Sequence, residues 1–480
     1  MSKQIQIKEG MHVADAAGQG RVLTHRPLLG WMLRRGYLMT ALRTVTLLLF
    51  VTGVATGLWL EDARVGLATL LMWGIFWPLF TSVVTPSLGN VYCGICPHGF
   101  VGKWLSRIGL RKVYPRRLRG VWVGLVVIVL AYWVVAYAMP GSLSASTKVT
   151  AWYFLVFTVL AFTIFFIYRD MAWCQHVCPL GRVLATHGKV GVLQIDTDAS
   201  ACQDCKSFEC AKACSYHLSP FRFAQRNNME ACTLCGDCLT ACEHAHLVGK
   251  RPGVVMRRPV AGQDRHEMWV FLIILGVAGV GIQFLHGLQH TPLKPYLPWT
   301  LAGEWLHARV ALDASLFNLG RFLALVLGIG LTVLIGLWAY RQAARLAETS
   351  WREAANTLAL GLAPLAIIGL IPHAVTTFAT RNAHALGNEI GALAGLGWQL
   401  TPLAERGDAW IGWLALLPYA GMVWTLWLIW QRASLLVPAG SHLRLRIWLY
   451  GSAPALLYIS IFLTKVLANW LMPGVAHHHH

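Results

Sequence analysis

Twelve cysteines carry the chemistry of this 480-residue chain, and eight of them fall between Cys202 and Cys242. They form two runs, CQDCKSFECAKAC and CTLCGDCLTAC. In the second run Cys232, Cys235 and Cys238 are two residues apart and Cys242 follows after three, the spacing with which bacterial proteins hold a [4Fe–4S] cubane. Three near thiolates cap one face of such a cluster, while the fourth, on a short helix, points toward a second cluster. The first run repeats the pattern, except that four residues separate Cys205 from Cys210 before three more lead to Cys214. Where two such runs occur together, ligation is crossed. One cluster then takes Cys202, Cys205, Cys210 and Cys242, and the other Cys232, Cys235, Cys238 and Cys214. Zinc ribbons also pair C-x-x-C units, usually with a longer separation between pairs. Disulfides require an oxidising compartment, which the topology below does not give this segment.

The other four cysteines stand in two short motifs, Cys93 and Cys96 in CGICPHG and Cys174 and Cys178 in CQHVCPLG. Both pairs follow an apolar stretch, and in both a proline ends the local helix directly after the second cysteine. Four soft thiolates at one membrane face suit a third cluster, another redox metal such as Cu(I), or zinc; the alternatives are a redox-active dithiol or persulfide, or unmetallated structural cysteines. His98 and His176 lie inside the motifs as substitute ligands or as hydrogen-bond partners of sulfur. A looser set of ligands follows: His286 and His290, four apart on one helical face, then His307, His373, His384 and Glu389. Such histidines can bind a metal or hold haem in a bundle, although histidines are also ordinary at membrane interfaces.

These residues need elements to position them, and the composition says which. At 56% hydrophobic and 13% charged residues over this length, the chain reads as an integral membrane protein. Its net charge of +19 is spread between apolar stretches, where it sets topology rather than binding nucleic acid. The fold class expected is a polytopic α-helical membrane protein of about nine spans with an inserted cytoplasmic two-cluster α+β domain. The spans fall near 37–60, 65–85, 120–139, 150–168, 267–288, 318–340, 356–377, 409–430 and 447–470. Arginines before the first span keep the N-terminus in the cytoplasm, and the basic run from Lys103 to Arg119 fixes the side of the first cysteine motif. The organisation is then a cytoplasmic segment 1–36, a four-span unit 37–189 bearing both C-x2/3-C-P motifs, the cysteine-rich domain 190–262, and a five-span unit 263–474. No cleavable signal peptide is expected from the polar, basic start, and 475–480 reads as a tag remnant. Trp269, Trp299, Trp305, Trp410 and Trp430 read as interface anchors.

Two membrane-face C-x2/3-C-P motifs, each beside paired spans and followed by a two-cluster module, resemble the NapH/NosR-type membrane polyferredoxins, which include the CcoG-like proteins. The resemblance covers roughly residues 37–260. It implies an inner-membrane iron–sulfur electron-transfer protein, an oxidoreductase component whose partners are periplasmic or membrane metalloproteins, metal-handling systems or permeases. Cys93 and Cys96 are separated by two residues where that family usually has three, and neither Cys214 nor Cys242 is followed by proline. The five C-terminal spans make the architecture similar to the ferredoxin-like membrane component of FtrABCD-type ferrous-iron uptake systems. On the cytoplasmic side, Lys206, Lys212, Arg222 and Arg226 offer a basic face to a soluble acidic electron carrier. A hydrocarbon core of about 30 Å separates the cysteines from the far side, so an outer partner requires another carrier, such as haem, quinone or a metal, in the second half. Two other readings stay open: a reductase or assembly factor holding copper or iron, and a cluster-regulated transporter subunit with Arg43 and Lys465 as buried span charges.

Overall fold

A span must cover the hydrocarbon core at 1.5 Å per residue, so about 20 apolar residues are needed. In the computed structural model, which describes residues 20–472 except 61–65, 140, 142, 144, 145, 230, 262–266, 311 and 439, seven helices of 21 to 29 residues meet that need. In chain order the membrane helices are α1 (Tyr37–Trp59), α2 (Leu67–Leu88), the shorter α3 (Trp122–Ala138), α4 (Thr147–Ile167), α5 (Glu267–His290), α6 (Leu319–Leu346), α7 (Ala409–Ala433) and α8 (Leu443–Leu471). The chain is thus a mostly helical, multi-pass membrane protein. The apolar stretch at 356–377 does not form one helix. It divides into Trp351–Ala359, Ala363–Ile368 and Ile371–Thr377, with a turn at Gly369 and Leu370. Pro364 and Pro372 each remove a helix donor there. The turn expected at 61–64 and the tail at 475–480 lie outside the described residues.

Helix α2 is widened into π geometry over Leu70–Val84 around Pro78. Proline has no N–H to offer the preceding turn. Asn382 from the C-terminal half donates to the carbonyl of Gly74 in that turn at 3.0 Å. The widened stretch places Trp73, Phe76 and Trp77 on the wall of the cavity that Cys93, Cys96, Cys174 and Cys178 also line.

The cysteine-rich segment folds on a three-stranded antiparallel sheet of β1 (Arg21–Val22), β2 (Leu193–Thr197) and β3 (Ala245–Gly249), in the order β1-β3-β2. Leu193 pairs with Gly249 and Thr197 with Ala245, so the sheet closes around both cysteine runs. Ile195, Phe223, Leu234, Leu239 and Ala245 form its small core together with Leu33 from the N-terminal segment. The described part of that segment, residues 20–36, is therefore built into the module rather than standing apart from it. Arg34 also donates to the carbonyl of Glu243 at 2.8 Å, and Thr24 meets His246 at 3.1 Å.

The two membrane halves meet at a buried ionic joint. Lys189 pairs with Glu267 at the start of α5. Arg432, 1% exposed, donates to the carbonyls of Met256 and Thr357. A guanidinium survives out of water only with its donors satisfied, so this joint ties the module's exit, the broken 351–377 segment and α7 together. Among the expected anchors, Trp299 belongs to the interior: it is buried and stacks on Phe284 at 4.3 Å.

Candidate functional site

Cys93 lies in the helical turn Val91–Ile95, and Cys96 caps the helix Pro97–Ile108. Pro97 suits that first position because its missing N–H would be unpaired there in any case. Cys174 sits in the turn Trp173–Val177, and Cys178 ends it. All four line one cavity of about 110 Å³, walled on the membrane side by Trp73, Trp77, Tyr132 and Tyr153. Gly181 lets the second motif close, because a Cβ there would overlap the carbonyl oxygen of Cys174. The sulfurs open onto the cavity but are enclosed by protein. Burial, reinforced by neighbouring cysteines, pushes the Cys93 and Cys174 thiols well up and that of Cys178 up to about 12. Alone, these groups are held as neutral thiols; four thiolates in this place would need a cationic core between them. An iron–sulfur centre fits this donor set.

A second, smaller cavity in the module is lined by Cys214, Cys232, Cys235 and Cys238. The structure thus brings together the quartet drawn from both runs. Leu234 adopts φ +53°, a strained conformation for a side-chain-bearing residue, and its N–H points at the Cys232 sulfur, 3.5 Å away. Cys210 is within electrostatic reach of Cys242 and Cys202, the nucleus of the other crossed quartet. Cys205 stands at the module's edge, where the Phe208 N–H and the Ser207 hydroxyl hold its thiol below the ordinary value.

The two cavities share a wall. Tyr216 and Thr233 line both. The first motif also packs directly on the module: a Cβ at Gly94 would come within 2.5 Å of the Thr233 carbonyl oxygen and 3.1 Å of Cys235 Cα. Arg43 in the opening turns of α1 closes the contact. Its guanidinium donates to the carbonyls of Gly94 at 3.0 Å and Cys235 at 2.8 Å, and lies 3.7 Å from Asp237, which Lys103 also engages. Asn90 donates to the Cys232 carbonyl at 3.3 Å. Arg43 is therefore a clamp between two cysteine loops. Nothing local in the sequence marks this role, since Cys235 lies 192 residues away.

The histidines divide. His98 is neutral, its pKa pushed down to about 4 by burial, and its Nε2 meets Thr158 at 2.8 Å. Thr158 already donates to the Phe154 carbonyl, so His98 donates from Nε2 and leaves Nδ1 bare, 4.0 Å from the Cys96 sulfur. His176 accepts from the Gly120 N–H and stacks on Tyr114. In the second half, His286 and His290 stack at 6.2 Å, with His373 within electrostatic reach of His286. The Nδ1 of His384 is enclosed without a hydrogen-bond partner among the described residues. Among the described residues, no three cysteine, histidine or carboxylate side chains converge at the distances of a single bound ion. Rings nevertheless run from the cysteine cavity toward His286: Trp77 to Tyr132 at 3.9 Å, Tyr132 to Trp133 at 5.0 Å, Trp133 to Tyr137 at 5.5 Å, and Tyr137 to His286 at 5.3 Å.

Residues 69–116 and 149–193 match the family described as a 4Fe-4S binding domain. The two stretches enclose Cys93, Cys96, Cys174 and Cys178 and end before Cys202. Two uncharacterized proteins of Methanocaldococcus jannaschii are 23% and 24% identical over 174 and 179 residues, covering 33% and 34% of this chain and 63% and 72% of theirs. The ferredoxin-type protein NapH of Haemophilus influenzae is 26% identical over 177 residues, 32% of this chain and 59% of that one. The chain therefore spans less than two thirds of the first of these relatives and of NapH. No solved structure matches it.

Proposed function

We propose that this chain is a NapH-like membrane polyferredoxin in its cysteine-bearing half and that it moves single electrons between a soluble cytoplasmic carrier and a partner reached through the membrane. Each bound [4Fe–4S] centre supplies reversible one-electron chemistry. Three quartets hold them: Cys202, Cys205, Cys210 and Cys242; Cys214, Cys232, Cys235 and Cys238; and Cys93, Cys96, Cys174 and Cys178. The observation that carries the reading is the shared wall of Tyr216 and Thr233, which makes the second and third quartets immediate neighbours. The first quartet, with Cys205 at the module's edge beside Lys206 and Lys212, is the docking end for an acidic carrier.

The setting we propose is a bacterial inner membrane, with the module cytoplasmic on the side of the basic run from Lys103 to Arg119. Counting α3 and the broken 351–377 segment as crossings gives nine, with the C-terminus periplasmic. The far partner is then a periplasmic or membrane metal-handling system, iron uptake being one such system, engaged near His286 and His290. Arg43 gives little support to a transporter, because its charge is spent on the loop clamp.

Iron, acid-labile sulfide, copper, zinc and haem per chain, measured on anaerobically purified protein, test this. About twelve irons, falling to about eight in a Cys93→Ser/Cys174→Ser variant, is the expected result. About eight irons in both proteins refutes a centre at the membrane face, and copper or zinc released reversibly by that quartet supports metal delivery instead.

A further inference from the structure

Tyr216 lies two residues after Cys214, yet its side chain leaves the module. Its ring lines the membrane-face cavity as well as the module's own. Its hydroxyl sits among the first motif's atoms, 4.0 Å from where a Cβ on Gly99 would be, and the side chain packs in the same cluster as Cys174, within reach of that sulfur for the phenol to donate to it. A phenol ordinarily keeps its proton to about pH 10, so this group is a donor at neutral pH. Tyr92 makes the corresponding contact with Cys96, but it belongs to the first motif itself. Tyr216 brings a donor from the other side of the wall.

We propose that Tyr216 is the positioning residue that joins the two sites, seating the membrane-face quartet against the module and raising the electron affinity of the centre ligated by Cys174. The physical cause is the sulfur hydrogen bond. A donor aimed at a ligating sulfur draws off negative charge and favours the reduced form, one of the main determinants of iron–sulfur potentials. No bond is made or broken, and the hydroxyl keeps its proton. The consequence is directional: with the module docked, electron density is held at the membrane side of the wall. This rests on the proposal above that Cys174 ligates a redox centre.

The test uses the full-length, anaerobically purified holoprotein and its Tyr216→Phe and Tyr216→Leu variants, with metal analysis and an EPR-monitored redox titration. The Phe variant keeps the ring and loses only the donor. It should retain its iron and shift electron sharing about tenfold toward the module, about 59 mV for a one-electron couple, with the module's own centres unmoved. The Leu variant should show at least the same shift. An unchanged potential in the Phe variant overturns the proposal, as does loss of its iron, which would make Tyr216 a retaining residue rather than a tuning one. If Cys93→Ser/Cys174→Ser loses no iron, the premise of a membrane-face centre fails instead, and the metal count separates that failure from the first two.

Discussion

Replacing Arg43 with Met keeps most of the side-chain volume and removes the clamp between the two cysteine loops. The wild-type guanidinium serves two carbonyls, Gly94 at 3.0 Å and Cys235 at 2.8 Å, from a side chain only 13% exposed. Hydrogen bonds from a charged donor contribute about 1.5–3 kcal/mol each. Water admitted by the remaining exposure recovers part of that, and Asp237 keeps Lys103 as its partner. The net loss is then about 3 kcal/mol for the closed arrangement of module on membrane loops. At 1.4 kcal/mol per tenfold, opening becomes about a hundredfold more frequent. Hydrogen exchange in detergent reads this directly: amides around residues 94–96 and 233–237 should lose about two orders of magnitude of protection, while those of α6 and α8 stay unchanged. Arg43→Lys should recover part of it, because a single ammonium reaches fewer acceptors than the planar fork. Wild-type protection at both loops in Arg43→Met would refute the clamp, and uniform loss everywhere would show that Arg43 supports global folding instead.

Gly94→Ala and Gly99→Ala form a contrasting pair. The first forces a Cβ to 2.5 Å from the Thr233 carbonyl and should cost about 1–3 kcal/mol of docking, with loss of membrane-face iron, whereas the second has 3.5 Å of room and should retain its iron. Equal iron retention in both would remove the close-approach argument. His187, buried against Phe271 with its pKa pushed down to about 4, carries a pH prediction. The unfolded chain protonates this ring near pH 6.5 and the folded one only near 4, so its stabilising contribution is full above 6.5 and is lost as pH falls through about 4. The thermal midpoint in detergent should drop across that window, on the order of 3 kcal/mol in all. The drop should be flattened in His187→Leu, and an unaltered profile in that variant would assign the dependence to other groups.

The grouping of the cysteines was legible in the sequence because its runs and short motifs are local in the chain. Spacing, read with the crossed ligation of paired runs, placed Cys214 with Cys232, Cys235 and Cys238, the set that lines one cavity. The membrane helices were legible for the same local reason. What escaped was long-range. Arg43 read as a misplaced span charge because its acceptor at Cys235 is 192 residues distant. Arg21 and Val22 carry no strand pattern of their own and join the sheet only through β3. Tyr216 offered no signal beyond being aromatic beside a cysteine. The break in the 356–377 stretch was the exception, since Pro364, Gly369 and Pro372 were visible and were outweighed by the apolar run around them.

The direct seating of Gly94 on the Thr233–Cys235 loop also bears on how the protein matures. The chain leaves the ribosome with the first two cysteine motifs complete by Cys178, but the sheet that seats the module is finished only when β3 ends at Gly249. Until then the module does not cover Cys93, Cys96, Cys174 and Cys178; afterwards it lies across them. If those four cysteines hold the centre proposed above, iron and sulfide reach them during synthesis or in an undocked intermediate.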